Sequence, residues 1–127
     1  MADTIDFELV SPERLLLAKP VEMVVVPGTE GNFGVLPGHA PLISTVRPGV
    51  IEIFEGGRVV ERIFVAGGFA EVTAARCTVL AERATPVGDI DRAAVERKLR
   101  DDREDGNEAE VAIDEAMLAA LEGATQH

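Results

Sequence analysis

The sequence holds a single cysteine, Cys77, and neither tryptophan nor tyrosine. One thiol cannot form a disulfide within the chain, so no covalent staple is available to the fold. Cys77 stands in a β-rich run between Arg76 and Thr78, with no neighbour that would lower its pKa, and reads as a buried, inert thiol. Aromatic residues make up 4% of the chain, so the core has to be aliphatic; the 46% hydrophobic fraction supplies enough Val, Ile, Leu and Ala for it. Positive charge is scarce as well. Twelve bases against 23 acids leave a formal net charge of −11. That excludes nucleic acid and an anionic membrane surface as direct partners, since both are polyanions, and leaves a basic protein surface open. No apolar run approaches the ~20 residues of a membrane span. Direct membrane insertion is therefore not expected, and any membrane association has to come through another protein. The first six residues lack the basic and apolar segments of a secretion signal or transit peptide.

What is present, up to about residue 86, is short and β-like. Ile5, Phe7 and Leu9 alternate with Asp6 and Glu8, the pattern of a half-buried strand. Arg14 to Ala18 is a second apolar run, which Lys19-Pro20 is expected to break before Val21 to Val26 resumes as a strand. Gly56-Gly57 between two β-rich runs predicts a two-residue hairpin, because primed turns need positive φ. Gly67-Gly68 marks another corner, and Ala74 to Arg76 a further hairpin. Eight or more short strands turned this often predict an antiparallel sandwich or flattened barrel over residues 3 to 86.

The segment Glu30 to Leu42 interrupts this pattern with three glycines, two prolines and His39, and reads as a shaped surface loop. His39 invites a catalytic role, but Pro37-Gly38-His39-Ala40-Pro41 places no nucleophile or carboxylate beside it. It is expected to order the loop or to touch a partner. His39 and His127 are too far apart in sequence to suggest a metal site, and no glycine stands in a phosphate-binding loop.

Pro86-Val87-Gly88 is a border, dividing the chain into a 1–87 sandwich and an 88–127 tail. Beyond it twelve acids face five bases, a net charge of −7. Asp89 or Asp91 can cap a helix running to about Arg103, and Asp105-Gly106-Asn107 forms a turn. Asn107 with Glu110 resembles a capping box. Ala109, Ile113, Ala116, Met117 and Ala120 then lie on one helical stripe, ended by Gly123. The tail is thus an antiparallel helical hairpin. Its acidic centre, Asp101 to Asp105, is expected to be solvated and frayed, because acids near a helix C-terminus oppose the helix dipole.

The segment Glu30-Gly31-Asn32-Phe33-Gly34-Val35-Leu36-Pro37-Gly38-His39-Ala40-Pro41-Leu42 resembles the epsilon subunit of bacterial F-type ATP synthases. So do Arg47 to Ile51, Val65 to Val72, and Val79-Leu80-Ala81 with Ile90-Asp91 after it. The resemblance implies a ten-stranded β-sandwich followed by a helical hairpin. It implies a non-catalytic subunit of the central stalk that binds the gamma subunit, touches the loops of the membrane-embedded c-ring and couples proton flow to ATP chemistry elsewhere. By position, Ser11, His39 and Ser44 match the gamma-facing side, and Glu30, Gly31 and Asn32 match the edge that meets the c-ring. The family often carries an acid where this chain has Asn32. The implied location is peripheral, on the cytoplasmic side of a bacterial inner membrane. In the family the hairpin can also reach the alpha/beta head and inhibit ATP hydrolysis; here no base follows Arg103, so inhibition is expected to be weak. Some members bind ATP through an Ile/Leu-Asp-x-x-Arg-Ala motif. Ile90 and Asp91 match its start, but Ala94 and Val95 replace Arg and Ala, leaving Arg92 or Arg97 to supply the cation, so no cofactor is expected. The alternative is a free-standing β-sandwich binding module or nucleotide sensor with a helical regulatory tail.

Overall fold

The computed structural model describes residues 3–123; His127, named above, lies outside them. Ten strands come first: β1 (Ile5–Val10), β2 (Leu15–Val21), β3 (Met23–Gly28), β4 (Gly31–Val35), β5 (Leu42–Thr45), β6 (Gly49–Glu55), β7 (Arg58–Ala66), β8 (Phe69–Val72), β9 (Arg76–Leu80) and β10 (Arg83–Pro86). A 3-10 turn over Val87–Asp89 leads to α1 (Arg92–Glu104) and α2 (Glu108–Glu122). The strands form two five-stranded sheets. The first has the order β2-β1-β9-β8-β5 and the second β10-β7-β6-β3-β4. All neighbours are antiparallel except β1 and β9, which run parallel. The architecture is a sandwich of two open sheets rather than a closed barrel.

The inner faces meet in an aliphatic core. Ile5, Phe7 and Leu9 from β1 and Cys77 and Val79 from β9 pack with Val24, Val26, Ile51 and Ile53 of the second sheet, all fully or almost fully buried. Burial pushes the Cys77 thiol up to about 12, so the reactive thiolate is scarce at neutral pH. Folded protein at pH 7 is expected to leave an Ellman reagent unreacted, with one equivalent released in urea. Reaction at the rate of a free thiol would contradict this packing.

Three expectations are corrected here. Lys19-Pro20 does not break the second strand, since β2 runs through both to Val21 and the chain turns at Glu22. Proline is harmless there because β2 is an edge strand, with no strand on its outward side among the described residues. Glu30 to Leu42 is not one loop. Gly31–Val35 pairs with β3, closing a hairpin over Thr29 and Glu30, and only Leu36 to Pro41 remain irregular. Two of the three glycines that suggested a loop, Gly31 and Gly34, sit in a strand instead, on the outer edge of the second sheet, while Gly38 stays in the irregular part. Nor is the acidic hairpin centre frayed: α1 runs regularly through Glu104, and Lys98 draws Asp102 to 2.7 Å.

The helices form where their caps require. Asp91 Oδ1 accepts from the amides of Ala93 and Ala94, and Asn107 Oδ1 from that of Glu110. These bonds satisfy amides that the first turn leaves free. α2 lies on the outer face of the second sheet. Ile113, Ala116, Met117 and Ala120 pack on Phe64 and Ala66, with Val50, Val87 and Ile90 at the margin. Ala109, expected in the same stripe, is exposed.

Candidate docking surfaces

The two sheets differ in what covers them. The outer face of the second sheet carries α2. The outer face of the first sheet carries no other element among the described residues, and its register brings apolar side chains into a row. Leu15, Val10, Leu80, Phe69 and Thr45 are successive cross-strand partners from β2 to β5. Residues directly opposite each other point to the same face. Leu15 is 56% exposed, Phe69 42% and Leu80 38%. A parallel row holds Ala18, Glu8, Thr78, Glu71 and Ile43, with Ile43 70% exposed. Within it Thr78 Oγ1 donates to Glu8 Oε1 at 3.3 Å. Beside the first row, Val10, Pro12, Gly68, Phe69, Leu80 and Ala81, with Glu82, line a mainly apolar hollow of about 270 Å³. An exposed apolar patch with a polar margin is the signature of a protein-docking surface.

The residues expected to face gamma fall around this sheet rather than together. Ser11 stands in the β1–β2 turn, its Oγ close to Arg14, at the Leu80–Phe69 end. His39 lies at the opposite end, where Gly38 N–H donates to Ala74 O in the β8–β9 turn. Its Nδ1 is 2.6 Å from Ala40 O, so the ring orders its own turn. Ser44 pairs with the buried Ala70, which puts it on the inward side of β5, and its Oγ donates to Thr45 O. Ile43 and Thr45 occupy the outer side.

Glu30, Gly31 and Asn32 form the tip of the β3–β4 hairpin and are brought close together. The tip is tied to β5 through Thr29, whose amide donates to Thr45 O and whose Oγ1 lies 3.0 Å from Thr45 Oγ1. Arg47 braces it, donating to Gly28 O at 2.6 Å and to Asn32 Oδ1 at 2.7 Å. The tip is therefore braced on both sides of its turn, where Glu30 is exposed.

In the hairpin, Lys98 Nζ reaches Asp102 at 2.7 Å, Glu110 at 2.8 Å and Asp114 at 3.5 Å. Arg83 of β10 pairs with Glu110, fastening α2 to the sandwich. Arg83 first, and then Lys98, hold the Glu110 carboxyl below its ordinary range. Of the residues matched to a nucleotide motif, Asp91 spends its carboxylate as the α1 cap and Ile90 packs at the margin of the Phe64 cluster. Arg92 is exposed on the first turn.

The exposed row adds Leu15, Ile43, Phe69 and Leu80 to the candidates that position matching named. The signal was available: β5, β8 and β9 are apolar in both phases of the alternation, with Phe69 and Leu80 out of step with buried Ala70 and Val79. A strand apolar on both faces is suited to burial on both, and among the described residues no element covers the second.

Comparison with known proteins follows the same lines. A family model described as the ATP synthase Delta/Epsilon chain beta-sandwich domain matches residues 4–87. An ATP synthase epsilon chain of Rhodospirillum rubrum is 59% identical, over 97% of this chain and 100% of its own. That of Rhodospirillum centenum is 55% identical, over 93% of this chain and 84% of its own. Among solved structures, a chain of the Euglena gracilis mitochondrial ATP synthase, in an OSCP/F1/c-ring assembly, superposes with a TM-score of 0.83. It is 26% identical, and the match covers 95% of this chain and 83% of that one.

Proposed function

Since the chain belongs to the ATP synthase epsilon-chain family, we propose that it docks on the gamma subunit through the open face of its first sheet and turns with it as part of the rotor. It is a non-catalytic subunit, and its work is mechanical: torque passes through surfaces that must not slip. The observation that carries this reading is the uncovered apolar row Leu15–Val10–Leu80–Phe69, extended by Ile43. In this reading Ser11 and His39 mark the two ends of the gamma contact, and Ile43 rather than Ser44 faces gamma from β5. The Glu30-Gly31-Asn32 tip meets the c-ring loops. Its bracing by Arg47 suits a contact under load, and Asn32 serves as the acceptor for that guanidinium. The subunit then sits on the cytoplasmic side of a bacterial inner membrane, held there by the rotor.

The test is co-purification with gamma. A Phe69→Asp/Ile43→Asp double variant is expected to lose at least about 2 kcal/mol of binding, roughly thirtyfold in affinity, as for central apolar contacts elsewhere. Both positions are exposed, so the isolated subunit should melt as the wild type does. Full retention of gamma by the folded variant would remove the first sheet from the interface.

A further inference from the structure

Asp114 is the one buried charged side chain among the described residues, 2% exposed in the second turn of α2. Its Oδ1 lies 3.5 Å from Lys98 Nζ, and its Oδ2 is buried without a hydrogen-bond partner. Buried carboxylate oxygens normally find a donor. The groups that face it are few. α1 offers Lys98 and Asp102, β10 offers Arg83, and α2 itself offers Glu110. β6 and β7 meet α2 through apolar Val50, Phe64 and Ala66. Their ion pair, Glu52 with Arg62, lies toward the far end of the helix, where a Cβ on Gly123 would stand 3.5 Å from Arg62 Nη2.

Three carboxylates thus share two cations, and no donor is left for Asp114 Oδ2. Lys98 Nζ brings the two acids to one point, 2.7 Å from Asp102 Oδ2 and 3.5 Å from Asp114 Oδ1. One proton between them supplies the missing donor and balances the charge. We propose that Asp102 and Asp114 share a single proton across the hairpin, and that this acid pair is a pH-sensitive latch joining α1 to α2 over the second sheet.

The two halves of the latch respond to pH in opposite senses. Burial, and then Asp102, push the Asp114 carboxyl above its ordinary value. The stability it adds is present below the ordinary aspartate range and is lost as pH rises through its folded value. Asp114, and then Lys98, hold Asp102 below its ordinary value. Its contribution is present above that range and is lost as pH falls through its own folded value. The hairpin is tightest between the two, with one proton on the pair.

Amide hydrogen exchange on the full chain, corrected for intrinsic rates and referenced to the β1 and β9 amides, reads the latch directly. The opening constant of α2 is expected to rise as pH is raised from the ordinary aspartate range toward neutrality, about tenfold for each unit by which folding raises the Asp114 value. In Asp114→Asn a permanent N–H replaces the shared proton, and the profile should flatten. A flat wild-type profile, or an unchanged slope in Asp114→Asn, overturns the proposal. Should that variant not fold, carboxyl carbon titration of the wild type by NMR decides. Steps on either side of the ordinary aspartate value support a shared proton, and coincident steps at that value overturn it.

Discussion

Replacing Gly68 by alanine is expected to destabilise this protein by about 4 kcal/mol or more, enough to leave little folded chain at 37 °C. At φ +100° a Cβ on residue 68 would fall 1.7 Å from Leu80 O and 2.8 Å from Leu80 C. Those atoms are backbone of the partner strand, so no side chain can rotate away. Relief would require parting β8 from β9. That in turn pulls on Phe69↔Leu80, on the bond from Ala81 N–H to Val10 O, and on the bond from Val46 N–H to Gly68 O. Gly106→Ala provides the control. It has a similar positive φ, +67°, but nothing lies within 4 Å of its added Cβ, so it should lose only the conformational term of about 1–2 kcal/mol. Urea midpoints for both variants measure the difference. Equal losses would mean that the close approach at Leu80 is not maintained in solution.

Phe64→Ala should lose about 3–5 kcal/mol, the range for emptying a large buried aromatic site. Phe64 is fully buried on the outer side of β7, and α2 closes over it with Ile113, Ala116, Met117 and Ala120. The loss should therefore be uneven. Amides of α2 are expected to exchange at far lower protection than those of β1 and β9, because the hairpin loses its main apolar contact while the inter-sheet core is untouched. Phe7→Ala, emptying the inter-sheet core instead, should lower protection in both sheets together. Uniform loss of protection in Phe64→Ala would show that sandwich and hairpin unfold as one unit.

Much of the fold was legible because its signals are local. The alternation of Ile5, Phe7 and Leu9, the Gly56-Gly57 turn and the caps Asp91 and Asn107 each act within a few residues, and each is found where the pattern placed it. Where reading failed, a distant partner decided. Glycines in Gly31–Val35 spoke for a loop until β3 supplied its hydrogen-bonding partner. The acids of α1 spoke for fraying, but Lys98 gathers Asp102 together with Glu110 and Asp114 of the other helix. Pairing with Ala70 sets Ser44 on the inward side of β5 and leaves Ile43 outward.

By itself the sequence determined most of the element types, the aliphatic core, the order of sandwich then hairpin, and the family. All of these rest on composition, short-range periodicity and residue identity. Only the tertiary structure decided which sheet α2 covers and which it leaves bare. It also aligned Leu15, Val10, Leu80 and Phe69 across four strands and sealed Asp114 among charges from two other elements. The physical reason is the same in each case. A side chain's face is set by cross-strand register and layer packing, and these join residues as far apart as Val10 and Leu80 that no local pattern connects.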